Sequence, residues 1–399
     1  MKIKNIKARE ILDSRGFPTI EVSLETETGI FIDSVPSGAS VGQREALELR
    51  DNDESRYFGK GVLKAVSNIN TIIFEALKDL PISSQKQVDD ILISLNKDKI
   101  GANAMMAVSL SCARALASKE KKELFEYISL ISNNEINLPS PCFNVINGGA
   151  HAQNDLAFQE FMINFKGPKI SEQVRMATET YHKLNEILGG SNVGDEGGFA
   201  PKISDPKEAL DLIASAARKL GYFSDLNIFL DVAASEFYHD QKYTISKDKI
   251  LTRNELVLYY KELCEEYPIK SIEDPFDEND FEGFKMLNQE MLGNLLIIGD
   301  DLTTTNIEFI KKAYEKDAIN GLLVKINQIG TVSSAIEAVN LAKSYHYKTM
   351  VSHRSGETID DFIVDFAVGL SSDYIKAGAP ARGERVSKYN RLLKIEEDL

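Results

Sequence analysis

The sequence predicts an α/β protein with a (β/α)-type barrel behind a smaller N-terminal α+β domain. Three observations carry this. From about residue 138, strand-like and helix-like segments alternate, which is the signature of parallel βαβ units. Five or more such units follow one another, and their strands read as continuous apolar runs, as expected of strands covered on both faces. The opening 35 residues instead read as strands, with apolar and polar positions alternating over Thr19 to Thr26, and helical patterns come after them. An open doubly wound sheet is the other arrangement compatible with the same units.

In the first part, TIEVSLET (Thr19 to Thr26) has the alternation and β-branched content of a strand, and ETGI turns into a further short strand. The piece PSGASVGQREA, from Pro36 to Ala46, has no periodicity and reads as a loop of small residues. Helical patterns begin at Ser67, Ser83 and Gly101; the last, GANAMMAVSLSCARALA, has small residues suited to close packing. This N-terminal α+β domain is expected to span 1–131, and SNNEINLPSP to lead into a second domain over 138–399.

In the second part, SDPKEALDLIASAARKLGY opens on a Ser/Asp cap and stops at Gly221. TRNELVLYYKELCEEYP carries a capping box, Thr252 with Glu255, and ends before Pro268. NIFLDVA, IKSIEDP, NLLIIGDD, GLLVKINQIG and YKTMVSH are the buried strands between such helices.

Bulk properties narrow the function. The 399 residues exceed one compact core, and 43% hydrophobic with 27% charged residues is ordinary for a globular chain. No apolar run reaches membrane-span length, and MKIKNIKAREILDSRG lacks the apolar core of a secretory signal. Three scattered cysteines without metal-ligand spacing point to a reducing compartment, so a cytoplasmic protein is expected. A net charge of −15 opposes direct nucleic-acid binding. An anionic substrate would need local positive charge against that background.

The charged residues fall at the ends of the strands. NIFLDV ends in Asp231, SIE in Glu273, LLIIGDD in Asp300 and Asp301, LLVK in Lys325, and TMVSHR in His353 and Arg354. In an α/β barrel those ends meet on one face, where active sites sit. Three carboxylates converging on one small site repel one another unless a cation lies among them. Asp231, Glu273 and Asp300 are hard oxygen ligands suited to Mg²⁺. Helix caps and surface ion pairs are the alternative for any one of them. Lys325, beside the proposed metal, reads either as a base or as the counter-ion of Asp300. Arg354 and Ser355 form a donor pair suited to a phosphate or carboxylate, and Lys376 in IKAGAP repeats the pattern. The loop VGDEGGFAP holds Asp195 and Glu196 against glycines, and on its own would read as a solvated turn.

DSRGFPTIEV, VPSGASVGQREALELRD, GANAMMAVSL, NVINGGAHA, QEFMI, VGDEGGFAP, LDVAASEF, SIEDPF, GDDLTTTN, LLVKINQIGT, SHRSGET and AGAPARGERVSKYN run through the chain in that order. With these blocks the sequence resembles the enolases, the 2-phosphoglycerate dehydratases of glycolysis, from end to end. The resemblance implies a C-terminal eight-membered, TIM-like α/β barrel with an irregular start. It implies Mg²⁺ on Asp231, Glu273 and Asp300, with Ser40 of SGAS ligating a second Mg²⁺. It makes Lys325 the base and Glu196 the acid, with Glu160 supporting the acid and His353 beside the substrate. It sets His151, Gln159, Glu160, Lys325, Arg354, Ser355 and Lys376 on 2-phosphoglycerate or phosphoenolpyruvate, and it implies a homodimer or octamer.

Glu196 would have to protonate a leaving hydroxide, so its pKa is expected to be raised, with Glu160 contributing. The chain departs from the family pattern in shortened loops at LNKDKIGANA and LGGSNVGDEGG, in Val41 and KAGAP where threonines are usual, and in Phe281 where tryptophan is usual. None of these removes a matched site position. Two rival readings are a different barrel enzyme of the wider superfamily, which would not be expected to combine SGAS, the Glu160–Glu196 pair and SHRSGE, and a binding scaffold that has lost its ligands or base, all of which are present here.

Overall fold

A computed structural model describes residues 1–38 and 44–399, the side chains of residues 97 and 98 excepted. Ser40 therefore lies outside the described residues. Strands β1 (Ile3–Leu12), β2 (Pro18–Thr26) and β3 (Ile30–Ser34) form an antiparallel sheet in that order. The alternation in β2 sends Ile20, Val22 and Leu24 into the core, where the helix Ala102–Lys119 packs on the sheet. That helix is buried over most of its surface, which its run of Ala and Ser permits. A helical run expected from Ser67 begins earlier, at Leu63. The distant Asp51 accepts the N–H groups of Leu63 and Lys64, each at 2.8 Å, and so caps a helix that lacks a local cap.

The remaining strands are β4 (Ser140–Asn147), β5 (Glu160–Phe165), β6 (Leu226–Asp231), a small antiparallel sheet of β7 (Tyr238–His239), β8 (Lys242–Ser246) and β9 (Lys249–Leu251), then β10 (Ile269–Glu273), β11 (Leu296–Gly299), β12 (Gly321–Val324), β13 (Lys348–Ser352) and β14 (Tyr374–Lys376). Eight of them close a barrel in the order β10-β11-β12-β13-β14-β4-β5-β6. The open sheet is thereby excluded. From β10 to β4 all pairs are parallel, as the βαβ pattern predicts, but β5 is antiparallel to both β4 and β6. The reason lies in the connections. β4 and β5 are joined without a crossover helix, and β5 reaches β6 through two helices, Ile170–Leu188 and Pro206–Leu220, rather than one.

The local stop and start signals behave as their chemistry requires. Asp205 caps Pro206–Leu220 and Gly221 ends it in a left-handed turn. Thr252 and Glu255 cap each other's backbone at Arg253–Glu266. Inside the barrel Cys142, Met162, Phe229, Ile298, Leu323 and Met350 form an apolar plug beneath the strand ends. Among the described residues no helix is long and apolar enough to cross a membrane.

Candidate active site

Register explains why these side chains meet. β6 and β10 run in parallel with Asp231 level with Glu273. β5 runs the other way, so its first residue, Glu160, lies level with the last residues of β4 and β6, Asn147 and Asp231. Asp300 follows β11, Lys325 follows β12, His353 follows β13, and Lys376 ends β14 level with Ser352. A cavity of about 20 Å³ is lined by His151, Gln159, Glu160, Glu196, Asp231, Lys325, Ser352, His353, Arg354, Ser355 and Lys376. Glu273 and Asp300 stand just behind it, reached through the two lysines.

Lys376, buried, donates to both oxygens of Glu273 at 2.9 Å, to Asp231 Oδ2 at 3.0 Å and to Glu160 Oε1 at 3.2 Å. Lys325 donates to Asp300 Oδ2, so the counter-ion reading of this lysine holds in this structure. Gln328 donates to the other Asp300 oxygen at 2.8 Å, and Asp274 accepts the N–H groups of Asp300 and Asp301 at 2.9 and 2.7 Å. Arg354 makes a two-pronged contact with Glu45, at 2.9 and 3.2 Å. Arg15 approaches Ser355 Oγ at 3.5 Å.

The loop VGDEGGFAP is not a solvated turn. Glu196 is 2% exposed. Asn144 donates to its Oε2 at 2.9 Å, His353 Nε2 faces the same oxygen at 3.4 Å, and His151 Nδ1 faces Oε1 at 3.5 Å. Asp195 holds no such position: its backbone N–H donates to His151 O at 3.1 Å, and its carbonyl accepts from Arg385.

Burial and neighbours sort the charges. Burial pushes Glu160 well above the usual carboxylate range, Glu196 beside it adds to this, and Lys376 opposes it. Burial also pushes Glu196 up, but His353, His151 and Arg385 outweigh it and hold Glu196 well below that range. The expectation of a raised Glu196 is thus reversed, and the raised carboxyl of the pair is Glu160. His353 falls to about 4, chiefly through burial. At neutral pH it is an uncharged imidazole, so its pull on Glu196 is that of an N–H and not of a full positive charge. Burial pushes Lys325 down, yet Asp300 outweighs it and keeps the ammonium above its ordinary value. Glu273 is raised by burial and by Asp231.

The donor set fits a hard divalent cation. Asp231, Glu273 and Asp300 are buried and offer only oxygen, and two ammonium groups already lie among them. Buried polar atoms without a hydrogen-bond partner cluster here: Gln159 Oε1, Glu160 Oε2, His151 Nδ1 and both side-chain polar atoms of Asn147. Among the described residues, the triads with ligand atoms within 4.8 Å of one another are His151–Glu160–Glu196 and Asp274–Asp300–Asp301. The three predicted ligands do not form such a triad in this structure: Lys376 bonds Asp231 and Glu273, and Lys325 bonds Asp300.

Sequence reasoning missed Asn144, Glu45, Asp274 and Arg385. Asn144 and Arg385 lie inside blocks NVINGGAHA and AGAPARGERVSKYN that were singled out as whole units. Nothing in residue type marks one member of such a block as touching the acid.

Fold and site together define an α/β-barrel protein whose strand ends gather buried carboxylates and lysines around one small cavity. Two family descriptions cover nearly all of it: the enolase N-terminal domain over residues 3–128 and the enolase C-terminal TIM barrel domain over 135–399. Similar proteins include Enolase B of Dictyostelium discoideum, 50% identical over all of this chain and 95% of that protein. The enolases of Methanosarcina barkeri and Methanocaldococcus jannaschii are also 50% identical, over all of this chain and 95% and 96% of theirs. The chain belongs to the enolase family and is a hydro-lyase.

Proposed function

We propose that the enolase reaction, reversible Mg²⁺-dependent dehydration of 2-phospho-D-glycerate to phosphoenolpyruvate, runs here between Lys325 and Glu196. The observation that carries this is that both side chains line one small cavity together with Arg354, Ser355 and Lys376. Lys325 takes the proton α to the substrate carboxylate, and Glu196 gives a proton to the β-hydroxyl, which leaves as water. Glu160, within 4.8 Å of Glu196, keeps its proton to higher pH and is the source from which Glu196 is reprotonated. Arg354 and Ser355 hold the phosphate, while His151 and Gln159 orient the rest of the substrate and His353 holds Glu196. Lys376 places a fixed positive charge where the carboxylate-enolate forms.

Mg²⁺, when bound by Asp231, Glu273 and Asp300, supplies the charge that makes the α-proton removable. Lys325 becomes basic only once it is released from Asp300. A second Mg²⁺ bound with Ser40, a homodimeric or octameric assembly, a cytoplasmic location and a division of the chain into 1–131 and 138–399 complete the reading. The cavity admits a water but not a phosphorylated three-carbon acid, so entry requires the rim to part, and the pair Arg354–Glu45 is the contact a phosphate would compete for.

Two variants test the roles. Phosphoenolpyruvate formation is followed by ultraviolet absorbance, and α-proton exchange by deuterium wash-in. Lys325→Ala should lose both, by roughly 10²-fold or more. Glu196→Gln should lose dehydration yet keep exchange. Exchange that survives in Lys325→Ala would remove the base assignment.

A further inference from the structure

Among the described residues Arg385 is the largest fully buried side chain, with 0% exposure. It stands in the first turns of the C-terminal helix Gly383–Asp398. Its Nη1 meets His353 Nδ1 at 2.5 Å and donates to Arg354 O at 2.7 Å. Its Nη2 donates to Ser355 O at 2.7 Å and to Asp195 O at 3.1 Å. One guanidinium therefore ties the loop that carries His353, Arg354 and Ser355 to the loop that carries Glu196. The turn AGAP closes on the same group: a Cβ at Gly378 would come within 2.7 Å of Arg385 Cδ and 2.9 Å of Glu196 O.

A guanidinium has five N–H donors and no acceptor. His353 Nδ1, facing it, must present its lone pair, so the ring proton sits on Nε2. That Nε2–H points at Glu196 Oε2, which already accepts from Asn144 at 2.9 Å. With Asn144 donating to Oε2 and the ring N–H facing the same oxygen from 3.4 Å, a proton on Glu196 belongs on Oε1, the oxygen facing His151. A second proton on His353 would set an N–H against the guanidinium. Besides Arg385, the charged groups that act most strongly on the ring are Glu196 and Glu357.

We propose that Arg385 is a positioning residue: it fixes the Nε2–H tautomer of His353, which with Asn144 fills Oε2 of Glu196 and leaves Oε1 to carry the transferable proton. This rests on Glu196 as the acid, but its first half can be measured without that role. The chain has five histidines, few enough for nitrogen-15 labelling and assignment by a His353→Gln variant. In the full-length protein His353 should show a protonated Nε2 and a bare Nδ1, and should not titrate near pH 6.5. A protonated Nδ1, or ordinary titration, overturns the proposal. Arg385→Met should release the ring to titrate nearer 6.5, lower kcat roughly tenfold or more with little change in KM, and add an ionisation to the acid limb of the pH profile. Arg385→Lys, which keeps a donor, should restore the tautomer in part. A folded Arg385→Met protein with unchanged His353 signals and kcat overturns the proposal. If Glu196→Gln fails to uncouple exchange from dehydration while the tautomer is as stated, the acid assignment falls and the Arg385–His353 arrangement stands.

Discussion

Gly194 and Gly198 lack side chains because the acid loop leaves no room for them. A Cβ on Gly194 would lie 2.5 Å from His151 O and 2.7 Å from Asn147 Cβ, and one on Gly198 would lie 2.7 Å from Asn147 Oδ1. Both close approaches are to β4 or to the turn after it, so these glycines set the depth to which Glu196 is pressed into the rim. Gly194→Ala should cost about 1–3 kcal/mol as an overpacking change, read as a lowered thermal midpoint. It should also move Glu196 and His151 together and lower kcat by roughly 10²-fold. A near-normal kcat in that variant would mean that the loop has slack. The glycines mark VGDEGGFAP as a loop in the sequence, but its residues alone read as a solvated turn. The direction in which the loop points was not, because it depends on a contact with His151 that lies some forty residues away in the chain.

Among the elements, the helix Val332–Ser344 shows how the two parts of the chain cooperate. It follows the segment that carries Lys325, and its own Thr331 caps it by accepting from Ser334 N. Two more of its first N–H groups are taken by the other part of the chain. Ser333 N donates to Asp89 Oδ2 at 2.8 Å, and Val332 N to Ser109 Oγ at 3.0 Å. Ser109 and Gln85 in turn donate to Asp89, which is fully buried. A carboxylate at a helix N-terminus is favoured by both the free N–H groups and the helix dipole. Asp89→Ala would strand these donors, at a cost of about 1–3 kcal/mol, whereas Asp89→Asn keeps an acceptor and should cost less. Urea midpoints of the two variants check this; equal midpoints would show that the acceptor kept by asparagine contributes nothing. Asp89 was invisible in QKQVDDILIS, where Asp89 and Asp90 look alike and only the fold buries one of them. The strands were the opposite case. Continuous apolar runs ending in a charge mark a barrel strand wherever they stand, so β6 and β10 to β13 were readable one by one. The reversal of β5 was not derivable from its own residues, since it depends on how many helices separate it from β6.

On the scale of the whole molecule, a net charge of −15 is compatible with an anionic substrate because the acidic groups are not arranged evenly. Many of those at the barrel rim are buried and crowd one another: burial together with neighbouring carboxylates raises Glu160, Glu273 and Asp274 well above the usual range, and pushes Asp301 up to about 8. A carboxyl whose folded-state pKa exceeds its unfolded value binds protons more tightly when folded. Its contribution is complete below the unfolded value and is lost as pH rises through the folded one. For Asp301 that window runs from the ordinary carboxylate range, near 3.8, up to about 8. Chelated protein should therefore lose thermal stability as pH rises from 5 to 8, in the direction opposite to a protein held by ordinary ion pairs. A divalent cation at the rim removes the same repulsion, so Mg²⁺ should raise the midpoint more at pH 8 than at pH 6. At 100 times its dissociation constant the gain is about 2.7 kcal/mol. Binding at pH 7 should also release protons, which calorimetry reads as a dependence of the heat on the ionisation enthalpy of the buffer. A midpoint that rises with pH in chelator, or a heat independent of the buffer, would mean that the crowded carboxyls are already ionised and that the lysines alone balance them.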